Sequence, residues 1–165
     1  MLKIEILKAT FEQKPILANL LELYAYDFTE FFDFDIGSNG YYGYANLPLY
    51  WTDPKRHPFL IYVEGKIAGF VLIQKGSPIS KDKDIFDVAE FFIMKKYRRK
   101  NVGSTVALDL WGNFIGRWQV RVLLENKRAR SFWSNTIIQF TQKNIILLEI
   151  EIKKDRWLVY QFDSK

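Results

Sequence analysis

The chain has no cysteine and a single histidine, His57. Without a thiol it can form no disulfide, no thiolate nucleophile and no cysteine metal site, and one imidazole excludes a histidine-cluster metal centre. No G-x-S-x-G turn accompanies His57, so a serine hydrolase built on it lacks its nucleophile elbow. No apolar run reaches the roughly 18 residues that span a bilayer. The start, Met1-Leu2-Lys3-Ile4-Glu5, is a charged alternating segment and not a secretory signal. These absences lead us to expect a cytoplasmic chain with no metal and no membrane partner. Internal repeats and low-complexity tracts are also missing.

What is present is a chain of 165 residues, 48% hydrophobic and 17% aromatic. That is enough to bury one substantial core, so residues 1–165 are expected to form a single domain. The net charge is +5, and the basic residues gather at Lys95–Lys100 and Lys127–Arg130. Two short clusters suit a compact polyanion. A nucleic-acid groove needs a longer stripe with interleaved aromatics, so no nucleic-acid partner is expected.

The first cluster lies in Tyr97-Arg98-Arg99-Lys100-Asn101-Val102-Gly103-Ser104-Thr105, between the strand-like run Val88–Met94 and a helical pattern of Val102, Val106, Ala107, Leu110, Trp111 and Phe114 that Gly116 is expected to stop. Backbone N–H groups at a helix start have no intrahelical partner, and the helix dipole adds positive potential there. An anion satisfies both, so this turn is a candidate phosphate site. Gly103 would let the backbone approach a pyrophosphate, and Arg98, Arg99 and Lys100 would surround it with positive charge.

Elsewhere, residues 2–8 alternate as a strand, and Pro15–Tyr26 carries a helical apolar face. Phe59–Val63, Glu64-Gly65 and Ile67–Ile73 read as a hairpin. Trp118–Leu124 is strand-like, and Asn126 caps a further helix. Leu148–Ile152, a turn at Lys154-Asp155 and Trp157–Phe162 make a terminal hairpin. The order βααβββαβαββ predicts an α/β, three-layer domain with a mixed central sheet of about seven strands and helices on both faces.

The turn resembles the R-x-x-G-x-G/A pyrophosphate loop of the GCN5-related N-acetyltransferases, the GNAT superfamily, with Arg98 first and Gly103 last. Asn101 stands where the family usually has its first glycine, and Asn is the side chain that best tolerates a left-handed backbone. Asn126-Lys127-Arg128-Ala129-Arg130-Ser131-Phe132-Trp133 is similar to the family's N-x-x-A-x-x-F/L-Y segment, with Trp133 in place of Tyr. The likeness spans roughly residues 58–140. Together with Tyr50-Trp51 and His57-Pro58-Phe59-Leu60-Ile61, it looks like a subgroup of predicted bacterial acetyltransferases.

The resemblance implies the GNAT fold and an N-acetyltransferase that passes an acetyl group from acetyl-CoA to a primary amine within a ternary complex, without a metal. It implies pantetheine contacts at Phe91 and Ile93, a backbone N–H near Ile93 facing the thioester oxygen, and CoA contacts from Arg98, Arg99, Lys100, Asn101, Val102, Gly103, Ser104, Asn126, Ala129 and Arg130. For the base, Glu90 stands where many relatives carry Glu. Asp87 is the alternative, sharing strand parity with Ile93 unless a bulge intervenes. Trp133 could steady the departing thiolate but not protonate it, which leaves water or another group such as Tyr97.

The acceptor segment would precede the hairpin. There Asp27, Glu30, Asp33 and Asp35 interleave with Phe28, Phe31, Phe32 and Phe34, ahead of Tyr41, Tyr42, Tyr44, Tyr50 and Trp51. Asp27, Phe28, Phe31, Tyr50 and Trp51 are the expected contacts of a small cationic amine such as a polyamine, amino sugar or amino-acid derivative. The competing reading is an aromatic core with solvated acids, or a homodimer surface. A catalytically inactive CoA-binding sensor is the alternative to an enzyme, supported by Asn101 and Trp133.

Overall fold

Period-two alternation in strands and i, i+3, i+4 spacing in helices assign each apolar residue to a face, and the computed structural model, which describes residues 2–142 and 144–165, sorts them onto two sides of one sheet. Strands β1 (Ile4–Lys8), β2 (Arg56–Val63), β3 (Lys66–Lys75), β4 (Phe86–Ile93), β5 (Gly116–Leu123), β6 (Ile146–Ile152) and β7 (Asp155–Ser164) form a seven-stranded sheet in the order β1-β2-β3-β4-β5-β7-β6. Among the described residues, only the β4–β5 pair is parallel. The helices are α1 (Lys14–Phe28), the short α2 (Leu49–Thr52), α3 (Val102–Asn113) and α4 (Lys127–Thr141). This is the mixed α/β architecture and element order expected from the sequence. No helix among the described residues is long and apolar enough to cross a membrane.

Alternation along β3 shows how the two cores are divided. Phe70 and Leu72 pack with Leu17, Leu20 and Leu21 of α1 and Tyr50 of α2. Val71 and Ile73 point the other way, to Val106 and Trp111 of α3 and Ile137 of α4. Pro15 opens α1 where its missing N–H costs nothing. Asn126 caps α4, its side chain accepting from the Ala129 N–H at 3.0 Å.

The β2–β3 hairpin turns at Glu64 and Gly65, both at positive φ, the backbone a two-residue turn requires. Two local expectations are corrected. The terminal hairpin turns at Lys153-Lys154, again both at positive φ, because Ile152 pairs with Asp155. Gly116 does not stop α3, which ends at Asn113. It opens β5 at φ 142°, paired with Ser164.

Candidate active site

The parallel ladder between β4 and β5 is short. Phe86 pairs with Trp118 and Asp87 with Gln119, and there the pairing ends. Beyond it the strands splay, so β4 from Val88 to Ile93 has no strand partner on its β5 side. Its backbone groups can therefore pair with a ligand as a sheet edge pairs with an added strand. A bulge lies in the same stretch: Leu72 faces Glu90 and Ile73 faces Val88, which leaves Ala89 as the extra residue. The bulge resets parity. Asp87 and Glu90 share the α1/α2 face, whereas Phe91 and Ile93 pack beneath α3 and α4, so the parity that linked Asp87 to Ile93 is lost.

Glu90 lies among phenols. The Tyr44 hydroxyl donates to Glu90 Oε1 at 3.0 Å, and the Tyr24 hydroxyl also faces this carboxyl. Burial raises the Glu90 pKa above its usual range, against the opposing pull of both hydroxyls and Arg121. Burial and the Glu90 charge push both tyrosines upward, so they remain protonated donors. Tyr44 is held in place from α1: Glu22 accepts the Tyr42 N–H at 2.7 Å and the Gly43 N–H at 2.8 Å.

Asp87, the alternative base expected from the sequence, has both carboxylate oxygens engaged by hydrogen bonds. It is fully buried. Its Oδ1 accepts from Arg121 Nε at 2.9 Å and Gln119 Nε2 at 2.8 Å, and its Oδ2 accepts from Arg121 Nη2 at 2.9 Å and Gln74 Nε2 at 3.3 Å. Asp87 thus anchors Arg121, whose pKa burial lowers but the hydrogen bond and charge of Asp87, with the charges of Glu90 and Tyr24, together raise.

At the open end of the splay, Arg99 and Asn101 both take left-handed backbone at φ 59°, and α3 starts at Val102. The amides of Val102, Gly103 and Ser104 form its first turn, where no preceding helical carbonyl exists to receive them. Arg99 and Lys100 are exposed beside them. A Cβ on Gly103 would lie 3.1 Å from the Phe132 ring, so the glycine lets α3 pack against α4. Ala129 is the residue whose amide Asn126 caps, and Arg130 donates to the Leu124 carbonyl at 3.0 Å.

Other expected site residues are engaged elsewhere. Arg98 turns from the phosphate turn: Nε donates to the Ile93 carbonyl at 2.6 Å and Nη2 to Asp27 Oδ2 at 2.5 Å. Asp27, expected to meet the acceptor, is held by Arg98 and by Lys95 at 3.4 Å. Burial raises its pKa, but the two cations together bring it below the usual carboxylate value. Glu30 pairs with Arg128 at 2.7 Å. Trp133 is 7% exposed and packs on Phe91, Trp111 and Phe132. Tyr97 is likewise buried. Phe28 stacks on Phe32 and meets Tyr24 and Phe31 edge-on. Trp51 donates to the Ala9 carbonyl, and Tyr50 is buried in the core.

A family model described as the acetyltransferase (GNAT) family matches residues 18–135, from the middle of α1 through most of α4 and across the entire splay. The chain belongs to the GNAT acetyltransferase family. Membership makes it an acyltransferase of the N-acetyltransferase type. Solved structures share the fold at low identity. An acetyltransferase from Thermus thermophilus superposes with a TM-score of 0.72 at 14% identity, covering 98% of this chain and 97% of that one. A GNAT acetyltransferase from Streptococcus pneumoniae gives 0.64 at 17% identity over 99% and 100%. A spermidine N-acetyltransferase from Vibrio cholerae, solved with CoA and spermine, gives 0.65 at 13% identity over 98% and 95%. No curated protein matches by sequence.

In this GNAT chain the structure adds Tyr24, Arg121 and Glu22 to the site, and moves Tyr44 from the general aromatic segment onto Glu90. Arg121 had a sequence signal. Gln119 and Arg121 are polar residues two apart in the apolar strand Trp118–Leu124, so they share one face. Tyr24 had none, since it fits the apolar face of α1.

Proposed function

We propose that this GNAT chain transfers the acetyl group of acetyl-CoA to a primary amine by direct attack within a ternary complex, with Glu90 as the general base. The observation that carries this reading is the placement of Glu90 on the bulged strand beside the unpaired edge of β4, with its pKa raised by burial. A carboxylate shifted upward accepts a proton from an ammonium more readily than a fully solvated one.

The residues present fit the co-substrate. The unpaired backbone of β4 suits the amide-bearing pantetheine, and the first turn of α3, with Arg99 and Lys100, suits the pyrophosphate. A β4 N–H on the β5 side would face the oxygen on which charge develops. The amine nitrogen, relieved of a proton by Glu90, attacks the thioester carbonyl carbon. The new C–N bond forms, the C–S bond breaks, and the proton remaining on nitrogen passes to the departing sulfur, so that CoA leaves as the thiol. Positioning and charge stabilisation suffice, since the thioester is already activated.

The small cationic acceptor expected on the segment 27–35 loses part of its support. Asp27 and Glu30 are spent on Arg98, Lys95 and Arg128, which leaves Asp33 and Asp35 in solvent. The test is a thermal-shift titration with acetyl-CoA and CoA, followed by a thiol-release screen over primary amines. Stabilisation by both ligands with thiol release on an amine supports the reading. Absence of any shift at saturating ligand contradicts it.

A further inference from the structure

Between α1 and α2 the chain runs from Thr29 to Pro48 without a helix or strand, and Tyr44 belongs to this connection. A stretch of that length keeps one hydroxyl within hydrogen-bond reach of one carboxyl only if its backbone is fixed. On the C-terminal side of Tyr44 the fixing is plain. The Leu47 N–H donates to the Tyr44 carbonyl at 3.0 Å, and Leu47 is buried in one cluster with Leu17 and Leu21 of α1 and Tyr50 of α2. On the other side, residues 33–41 are exposed. Their backbone bonds, the Gly37 N–H to the Tyr41 carbonyl and the Gly40 N–H to the Gly37 carbonyl, both at 2.9 Å, close the loop on itself.

Glu22 ties that side to the body of the protein. It stands half-buried on α1, and its carboxylate takes two successive amides, Oε2 that of Tyr42 at 2.7 Å and Oε1 that of Gly43 at 2.8 Å. Both oxygens are used. Gly43 sits at φ 74°, left-handed backbone that glycine adopts without strain. The next residue is Tyr44, whose hydroxyl donates to Glu90 Oε1 at 3.0 Å. Hydrogen bonds thus lead from α1 through the loop to the carboxyl on β4.

We infer that Glu22 is a positioning residue for Glu90: by clamping the amides of Tyr42 and Gly43 it holds the Tyr44 hydroxyl on the base, so that α1 acts on the chemistry at β4 through the connecting loop. Its weight in catalysis rests on the proposed role of Glu90. The coupling of Glu22 to Glu90 does not. Glu90 is also faced by Tyr24 from α1, Tyr50 from α2, Asp87 from its own strand and Arg121 from β5. Sign distinguishes the clamp from a plain charge effect. Acting by charge alone, a second carboxylate disfavours ionisation of Glu90, and its removal lowers the Glu90 pKa. Acting through Tyr44, it secures a donor to the carboxylate, and its removal raises that pKa.

The experiment has two arms. In the first, the Glu90 carboxyl carbon is followed by NMR across pH in the parent, Glu22→Ala, Tyr44→Phe and the double variant, the signal being assigned by its loss in Glu90→Gln. Tyr44→Phe and Glu22→Ala should each raise the midpoint by about one pH unit, the order expected for a lost hydrogen bond to a charged acceptor. The double variant should go no further than Tyr44→Phe alone. Two milder variants carry the test if Glu22→Ala does not fold. Glu22→Gln, which keeps one acceptor oxygen, should give a smaller rise. Gly43→Ala, whose added methyl meets no atom within 4 Å and so strains only the backbone, should shift the midpoint the same way. A midpoint unmoved or lowered in the Glu22 variants, or additive shifts in the double variant, would overturn the inference. In the second arm, the pH profile of kcat/KM for thiol release is recorded on the same proteins. Acidic limbs that move with the NMR midpoints support both the clamp and the role of Glu90. Fixed limbs beside moving midpoints would leave Glu22 positioning Glu90 and remove Glu90 as the base instead.

Discussion

The Tyr44 hydroxyl donates a 3.0 Å hydrogen bond to Oε1 of Glu90 across 46 residues of sequence, and Glu22 secures the loop that delivers it. A donor to the charged form favours ionisation, so Tyr44 moderates the upward shift that burial imposes on Glu90. Tyr44→Phe removes the donor and leaves the ring. The acidic limb of the kcat/KM profile should then move to higher pH, with activity retained above it. An unmoved limb would show that Tyr44 does not act on the base.

The same shift makes Glu90 a cost to the fold at neutral pH. Its folded pKa is raised above the usual 4.5, so between the two values the folded chain binds more protons than the unfolded one. The associated stability is complete below the unfolded value and is lost as pH rises through the folded one. Glu90→Gln cannot ionise. Its melting temperature relative to the parent should therefore climb as pH rises from about 4.5 through the raised folded value, each ~1 kcal/mol appearing as roughly 2–4 °C. A difference that narrows over this range would contradict the assigned shift.

Asp87 and Arg121 form a buried two-pronged pair, Asp87 at 0% exposure. Asp87→Asn leaves the guanidinium with an uncharged partner and should cost about 3–5 kcal/mol in denaturant unfolding. Replacing both members, as Asp87→Leu with Arg121→Met, should recover much of that loss, because no unpaired charge remains. A single variant as stable as the parent would show that the pair contributes no structure.

The terminal hairpin turns through Lys153 and Lys154, at φ 49° and 75°, where neither side chain favours the left-handed region. Lys153→Asn with Lys154→Gly supplies the residues that this turn prefers and should stabilise the chain by about 0.5–2 kcal/mol. The turn lies outside the proposed site, so thiol release should not change. A loss of stability would mean that the two lysines make compensating contacts in the fold.

Local signals in the sequence carried the fold well where they were redundant. Alternation and a Glu-Gly turn defined the β2–β3 hairpin, and the left-handed tolerance of Asn agreed with the backbone Asn101 adopts. Residues whose partners are distant in sequence were not legible. Nothing in the run Val88–Met94 marks Ala89 as the extra residue, yet that insertion decides which carboxylates share a face. Arg98 reads as a phosphate ligand in its own turn, but Asp27, 71 residues earlier, claims its guanidinium. Arg121 was visible as a polar residue in an apolar strand, and only the strand pairing revealed Asp87 as its partner. The turn at Lys153-Lys154 was displaced by one residue because neither lysine carries a turn preference.

The most direct test of the proposed chemistry compares the parent with Glu90→Gln for thiol release from acetyl-CoA over primary amines, with the CoA-induced thermal shift measured on both proteins. Both should be stabilised by CoA, and the variant should lose about 10²-fold or more in kcat/KM near neutral pH, the contribution expected of a positioned base. Full activity in a CoA-binding Glu90→Gln protein would contradict the role assigned to Glu90.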